Sequence, residues 1–142
     1  MLHNKLQQQN SSFTELVHFV KDAKDKSGEK FFPSFGTLAS YLLVTDLEYA
    51  QCAPMPTVDK MGSMVWTLRK GVRNGLEKLG YLVKSEVEVV LSFEKVYCFL
   101  DQDKHFSRIK EGCVFNGIML EHSLCKLSQD TVLERVFRKK KT

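Results

Sequence analysis

Between Pro56 and Gly80 the chain holds no proline, and Val58, Met61, Val65, Leu68, Val72, Leu76 and Leu79 recur at steps of three and four. Apolar groups at that spacing line one side of an α-helix, and such a stripe is stable in water only when another element covers it. The chain must therefore build a packed core around this segment. Thr57 stands where a helix N-cap is wanted, and Gly80 where a helix end favours a left-handed residue. The pattern predicts one helix over 58–79. Gly71 and Gly75 inside it each weaken a helix by about 1 kcal/mol relative to Ala. Four residues apart, they share a face, which predicts close approach by a neighbouring element.

Two helices are expected before it. Ser12-Phe-Thr-Glu15 has the spacing of a capping box, and Phe13, Leu16, Val17, Val20 and Ala23 follow at helical steps, predicting a helix over 13–25. Ser34 can cap a second helix, over 35–49, whose apolar residues include Phe35, Leu38, Leu42, Leu43 and Leu47, and Pro54 and Pro56 forbid its continuation. After Gly80 the period changes. Val83, Ser85, Val87, Val89, Leu91 and Phe93 alternate with Lys84, Glu86 and Glu88, the pattern of a strand with one wet face. A turn at Ser92–Lys95 and a return strand Val96–Leu100 complete a hairpin. Asn116-Gly117, between Cys113-Val-Phe115 and Ile118-Met-Leu120, is a strong type I′ turn signal and predicts a second, short hairpin. Ser128 can cap a last helix over 129–139, with Val132, Leu133, Val136 and Phe137 apolar.

The expected fold class is therefore α+β: three N-terminal helices, a β-hairpin, a second hairpin and a C-terminal helix. At 142 residues and 43% hydrophobic, the chain suits one domain. The expected division is a disordered N-terminal segment over 1–11, a single globular domain over 12–137 and a basic tail over 138–142. The expected core contains Leu16, Val20, Leu38, Leu42, Val65, Leu68, Val72, Leu79, Val87 and Val89.

Three helices running into a hairpin resemble, in element order, a winged helix-turn-helix. That resemblance implies a third helix in the DNA major groove and a wing on the backbone. The charge distribution fits an anionic partner. The formal net charge is only +4, yet residues 57–84 carry six basic side chains against two acidic, and the last eight residues carry five basic and none acidic. Arg69, Lys70, Arg73, Asn74 and Lys78 cluster on the long helix, and Arg138, Lys139, Lys140 and Lys141 form the tail. Arg clamps phosphate or guanine through two parallel hydrogen bonds, and Asn can read adenine. The expected function is non-enzymatic binding of nucleic acid, duplex DNA foremost, through helix 58–79 and the tail.

The alternative is a protein-interaction module or small subunit of a larger complex, using apolar surface around the second and third helices. Phe31, Phe32, Met55, Met61 and Met64 suit an adaptable interface. The Gly71/Gly75 notch can take a partner helix or an internal one, and self-association is allowed. Chemistry is sparser. Cys98, His105, Cys113, His122 and Cys125 lie in one stretch, but only His122 and Cys125 have a zinc-like gap, so no metal is expected. Asp101-Gln-Asp103 reads as an acidic turn rather than a magnesium site, and no Walker loop, G-x-S-x-G or H-E-x-x-H is present. No enzymatic activity and no cofactor are expected. Met1–Asn10 is polar and Gln-rich, and no apolar run approaches the ~18 residues of a membrane span. A soluble intracellular chain with reduced cysteines and no membrane partner is expected.

Overall fold

The structure, a computed structural model, describes residues 2–7, 11–68 and 70–130. Among these residues the regular structure is helical: α1 (Leu2–Gln7), α2 (Phe13–Asp22), α3 (Thr37–Tyr49), α4 (Val58–Leu68), α5 (Gly71–Lys78), α6 (Glu86–Gln102), α7 (Ser107–Gly112) and α8 (Gly117–Gln129). An isolated antiparallel bridge joins Lys24 to Lys30, and there is no sheet among the described residues. The α+β, winged-helix arrangement is thus overturned. The expected last helix falls almost wholly on residues 131–142, outside the described residues.

The first hairpin is replaced by α6. Ser85 is extended and caps it, its Oγ accepting the Glu88 N–H at 3.2 Å, while the Glu88 carboxylate accepts the Lys84 N–H at 2.7 Å. The first bond satisfies an amide donor that the helix start leaves orphaned, and the second ties the residue before the cap to the first turn. Val89, Ser92, Phe93 and Val96 are then the buried residues, at i, i+3, i+4 and i+7. Ser92 is tolerated inside because its Oγ donates to the Leu82 carbonyl at 2.8 Å. The expected turn at Ser92–Lys95 is the middle of this helix.

The second hairpin is also absent. Asn116 is extended and caps α8, its side-chain oxygen accepting the Met119 N–H at 2.9 Å, and Gly117 is the first helical residue. Neither has the positive φ that a type I′ turn requires. The long helix expected over 58–79 is two helices, α4 ending at Leu68 and α5 starting at Gly71.

Contacts divide the chain into two compact units, 1–60 and 61–142. In the first, α2 packs on α3, and the capping box is present as expected: the Ser12 Oγ accepts the Glu15 N–H and Glu15 accepts the Ser12 N–H. Phe13, Leu16, Val17, Val20, Tyr41 and Val44 are buried, with the Phe13 and Tyr41 rings edge to face at 6.0 Å. Helix α3 has the opposite sidedness from the one expected. It exposes Leu38, Leu42 and Tyr49 and buries Ser40 and Thr45, whose hydroxyls make no hydrogen bond. The Glu48 Oε2 is likewise buried and unpartnered.

Burial pushes the Glu48 carboxyl above its ordinary value. A carboxyl raised on folding contributes stability that is present below its unfolded value and lost as pH rises through the folded one. Glu48→Gln is therefore expected to stabilise the chain at neutral pH, with the gain vanishing in acid. Urea unfolding at both pH values reads this, and a gain of equal size at both would contradict it.

In the second unit α5 packs along α8, and the glycine notch is where they meet. A Cβ at Gly75 would overlap the Leu124 carbonyl oxygen, and one at Gly71 would lie 2.6 Å from the Cys125 Sγ. The notch read from the spacing thus takes an internal helix. Gly62 similarly admits α6, a Cβ there lying 2.9 Å from the Val90 Cα. Met61, Met64, Val65, Val72, Leu76, Val89, Phe93, Val96, Ile118, Leu120 and Leu124 are buried. Of the expected core, Leu16, Val20, Val65, Val72 and Val89 are buried, Leu68 is half-buried, and Leu38, Leu42, Leu79 and Val87 are exposed.

Val87 and Val89 separate the two folds cleanly, because a strand puts them on the same face and α6 puts them on opposite sides. Val87 is 67% exposed and Val89 fully buried. Val89→Ala is expected to cost about 1.5–2.5 kcal/mol, and Val87→Ala to stay within roughly 0.5 kcal/mol of zero. Equal losses on denaturant titration would favour the strand.

Candidate interaction surface

Helices α6 and α8 each contribute a row of apolar groups that runs from the buried core out to the surface. On α6 these are Val96, Phe99 and Leu100; on α8 they are Leu120, Leu124 and Leu127, with Ser123 among them. Leu79 and Tyr81, in the connection after α5, close one end. Together they line a groove of about 380 Å³ within the second unit. Spacings of three and four place each set in a single row along its helix.

The groove holds almost no polarity. The Ser123 hydroxyl is turned back to the Met119 carbonyl at 2.8 Å, and Tyr81 is the other lining residue with a polar group. No carboxylate, amine, imidazole or thiol lines it. Phe99, at its edge, is 65% exposed, and Leu82, Val87 and Leu91 are exposed elsewhere in the second unit. Such an arrangement is suited to apolar contact. What it can do is remove apolar surface of a ligand from water, at roughly 1.5–3 kcal/mol for each large side chain fully covered.

The connection between α5 and α6 is held from both sides. The Arg73 Nη2 donates to the Val83 carbonyl at 3.0 Å, and Ser92 takes the Leu82 carbonyl. Fixing these two carbonyls turns the Val83 side chain inward and leaves Leu82 outside.

The nucleic-acid candidates are placed as follows. Arg69 and Arg138–Lys141 lie outside the described residues. Lys70, the N-cap residue of α5, and Asn74, within it, are exposed. Arg73 is half-buried, its guanidinium 4.5 Å above the Trp66 ring and its Nε buried without a hydrogen bond. The Lys78 amine donates to the carbonyls of Leu127, at 3.4 Å, and Ser128, at 2.7 Å, covering acceptors that the end of α8 leaves open. Helix α5 and its N-cap thus carry Lys70, Arg73, Asn74 and Lys78, with Arg73 and Lys78 bonded to backbone carbonyls. The winged-helix DNA-binding function is overturned with its fold: the expected wing is α6, and the expected recognition helix is interrupted before Gly71.

The remaining chemical candidates are spread along the second unit. Cys98 is exposed on α6, the Cys113 Sγ donates to the Ile109 carbonyl, and Cys125 lies against Gly71. Asp101 pairs with Lys110 at 3.4 Å, and Asp103 accepts the His105 N–H at 2.7 Å. Among the described residues no three His, Cys, Asp or Glu side chains converge on a point where a metal ion could sit. Tyr97 stacks on Phe115 at 4.9 Å, and burial, with Asp101 and Cys98 nearby, pushes its phenol above the ordinary value. Among the described residues no helix is long and apolar enough to cross a membrane.

The strand reading of Val96–Leu100 hid the groove. Its signal was nevertheless present, in Val96, Phe99 and Leu100 and again in Leu120, Leu124 and Leu127, all at helical steps. No family model, curated protein or solved structure matches the chain.

Proposed function

We propose that this chain is a non-enzymatic protein-interaction module, a helical subunit that receives the apolar side of a partner helix in the groove between α6 and α8. The observation that carries the reading is the groove itself: two rows of apolar side chains with the one serine hydroxyl turned away, and a phenylalanine 65% exposed at the edge. An amphipathic helix presents groups at i, i+3, i+4 and i+7, which match rows built at the same spacing. Phe99 supplies the aromatic anchor on which such interfaces concentrate their energy. Contiguous exposed apolar surface of this kind costs solubility, and in stable proteins it marks a binding site.

Site-specific photo-crosslinking in the cell of origin tests this. A photoreactive phenylalanine analogue is placed at Phe99, at Leu127 and, as a control, at Asn74, which is exposed on α5. Discrete protein adducts of one shared mass from positions 99 and 127, and none from 74, are expected. No adduct at all, or the same adducts from all three positions, would contradict the reading.

A further inference from the structure

Beside the groove, the outer face of α6 carries a charge pattern that is complementary to itself. Val87 and Leu91 are 67% and 50% exposed on this face, one turn apart. Glu88 and Lys95 flank Leu91, and with Tyr81 and Leu82 all three line one shallow depression. Seven residues is two helical turns to within ~20°, so Glu88 and Lys95 lie on the same flank of the apolar row. We infer that a second copy of this chain covers this face, α6 against α6 in antiparallel order about a two-fold axis near Leu91 and Ser92.

The order follows from the signs. In an antiparallel pair, residues on the same flank of the two helices meet, and a two-fold axis near Leu91 brings Glu88 of one copy opposite Lys95 of the other, twice. Leu91 then meets its counterpart close to the axis and leaves water, while Val87, four residues away, faces the other copy's helix near Lys95. A parallel pair would set this flank against the other one and forfeit both ion pairs. The ends agree as well. Lys84 precedes the helix, while Asp101 and Asp103 sit at its C-terminal end, where the last turn holds no basic residue. Antiparallel order brings the partner's Lys84 and positive helix end toward those carboxylates. A self-complementary patch of this kind closes as a dimer instead of growing into a chain. Helix α3, which also exposes apolar groups, lacks this property: it carries Asp46 and Glu48 and no cation. The dimer contact adds to the groove reading and does not rest on it, because the α8 side of the groove stays open.

Sedimentation equilibrium on the purified full chain gives the test. The wild type is expected to dimerise reversibly. Glu88→Lys alone and Lys95→Glu alone each convert two attractive pairs into two repulsive ones and should weaken association by roughly tenfold or more. Mixing the two single variants restores both pairs and should give a heterodimer, and the double variant should dimerise again with itself. Glu88→Lys also loses the bond to the Lys84 amide, but the double variant shares that loss, so recovery there reports the charge pairing. Circular dichroism verifies that each variant stays helical. A wild type monomeric up to millimolar concentration would overturn the dimer and leave the groove untouched. So would a dimer indifferent to both single changes, or one that the double variant fails to recover.

Discussion

Gly75→Ala is expected to destabilise the second unit by about 2–3 kcal/mol, although alanine is the better helix former. The added methyl group would meet the Leu124 carbonyl oxygen, which is backbone in the middle of α8 and cannot rotate away as a side chain would. Relief requires α5 and α8 to separate, which loosens Val72, Leu76, Ile118 and Leu124 together, all of them buried. For a unit of this size the loss corresponds to a fall in Tm of roughly 10 °C or more. Gly112 is the control, since a Cβ there meets nothing within 4 Å. Gly112→Ala should leave Tm unchanged or raise it slightly. Thermal unfolding in which both variants behaved alike would mean that α8 does not lie in the Gly75 notch.

Phe93→Ala is expected to cost about 3–5 kcal/mol, the largest effect of any single side-chain truncation considered for this chain. Phe93 is fully buried on the inner face of α6, near the point where Gly117 opens α8. Six residues along the same helix, Phe99→Ala should stay within about 1 kcal/mol of wild type in stability, since that ring is 65% exposed and forms the groove's edge. The comparison separates core from interface: Phe93→Ala should unfold early, and Phe99→Ala should fold normally while losing the partner. Equal stability losses in urea titrations would place Phe99 in the core and remove the anchor of the proposed surface.

Much of the first unit was legible in the sequence. The Ser12–Glu15 capping box and the Phe13–Val20 pattern marked α2 well, because capping and periodicity agreed there. The position of α3 was equally plain, but its inner side was not. Apolar residues surround the 37–49 helix, so periodicity assigns no face to it, and Leu38 and Leu42 lie outside while Ser40 and Thr45 lie inside. In the second unit the Gly71/Gly75 notch predicted close packing, and α8 supplies it.

The hairpins were misread for two physical reasons. Residues 83–93 satisfy an alternating pattern and a helical one together, and Val-rich runs favour the strand in isolation. The helical reading has a serine, Ser92, among its inward positions, which makes it look weaker than it is until the Leu82 carbonyl is seen to accept from that hydroxyl. Asn116-Gly117 suits two roles, a type I′ turn and an N-cap followed by a first helical residue. The choice depends on Leu120, Leu124 and Leu127 downstream, whose spacing matches a helix. The groove residues were hidden by the same errors, since a surface built from two helices cannot be seen while either is taken for a strand. The basic groups of α5 were visible from the start, but spacing alone does not reveal that Arg73 and Lys78 bond backbone carbonyls.

Both the groove and the dimer face exist only if residues 86–102 are helical, and backbone NMR chemical shifts of the full chain measure that residue by residue. A continuous run of positive Cα secondary shifts from Glu86 to Gln102 is expected, unbroken across Ser92–Lys95, with extended values confined to the preceding connection and its cap at Ser85. Negative shifts over 83–91 and again over 96–100, separated by a turn near Ser92–Lys95, would restore the hairpin and abolish both surfaces.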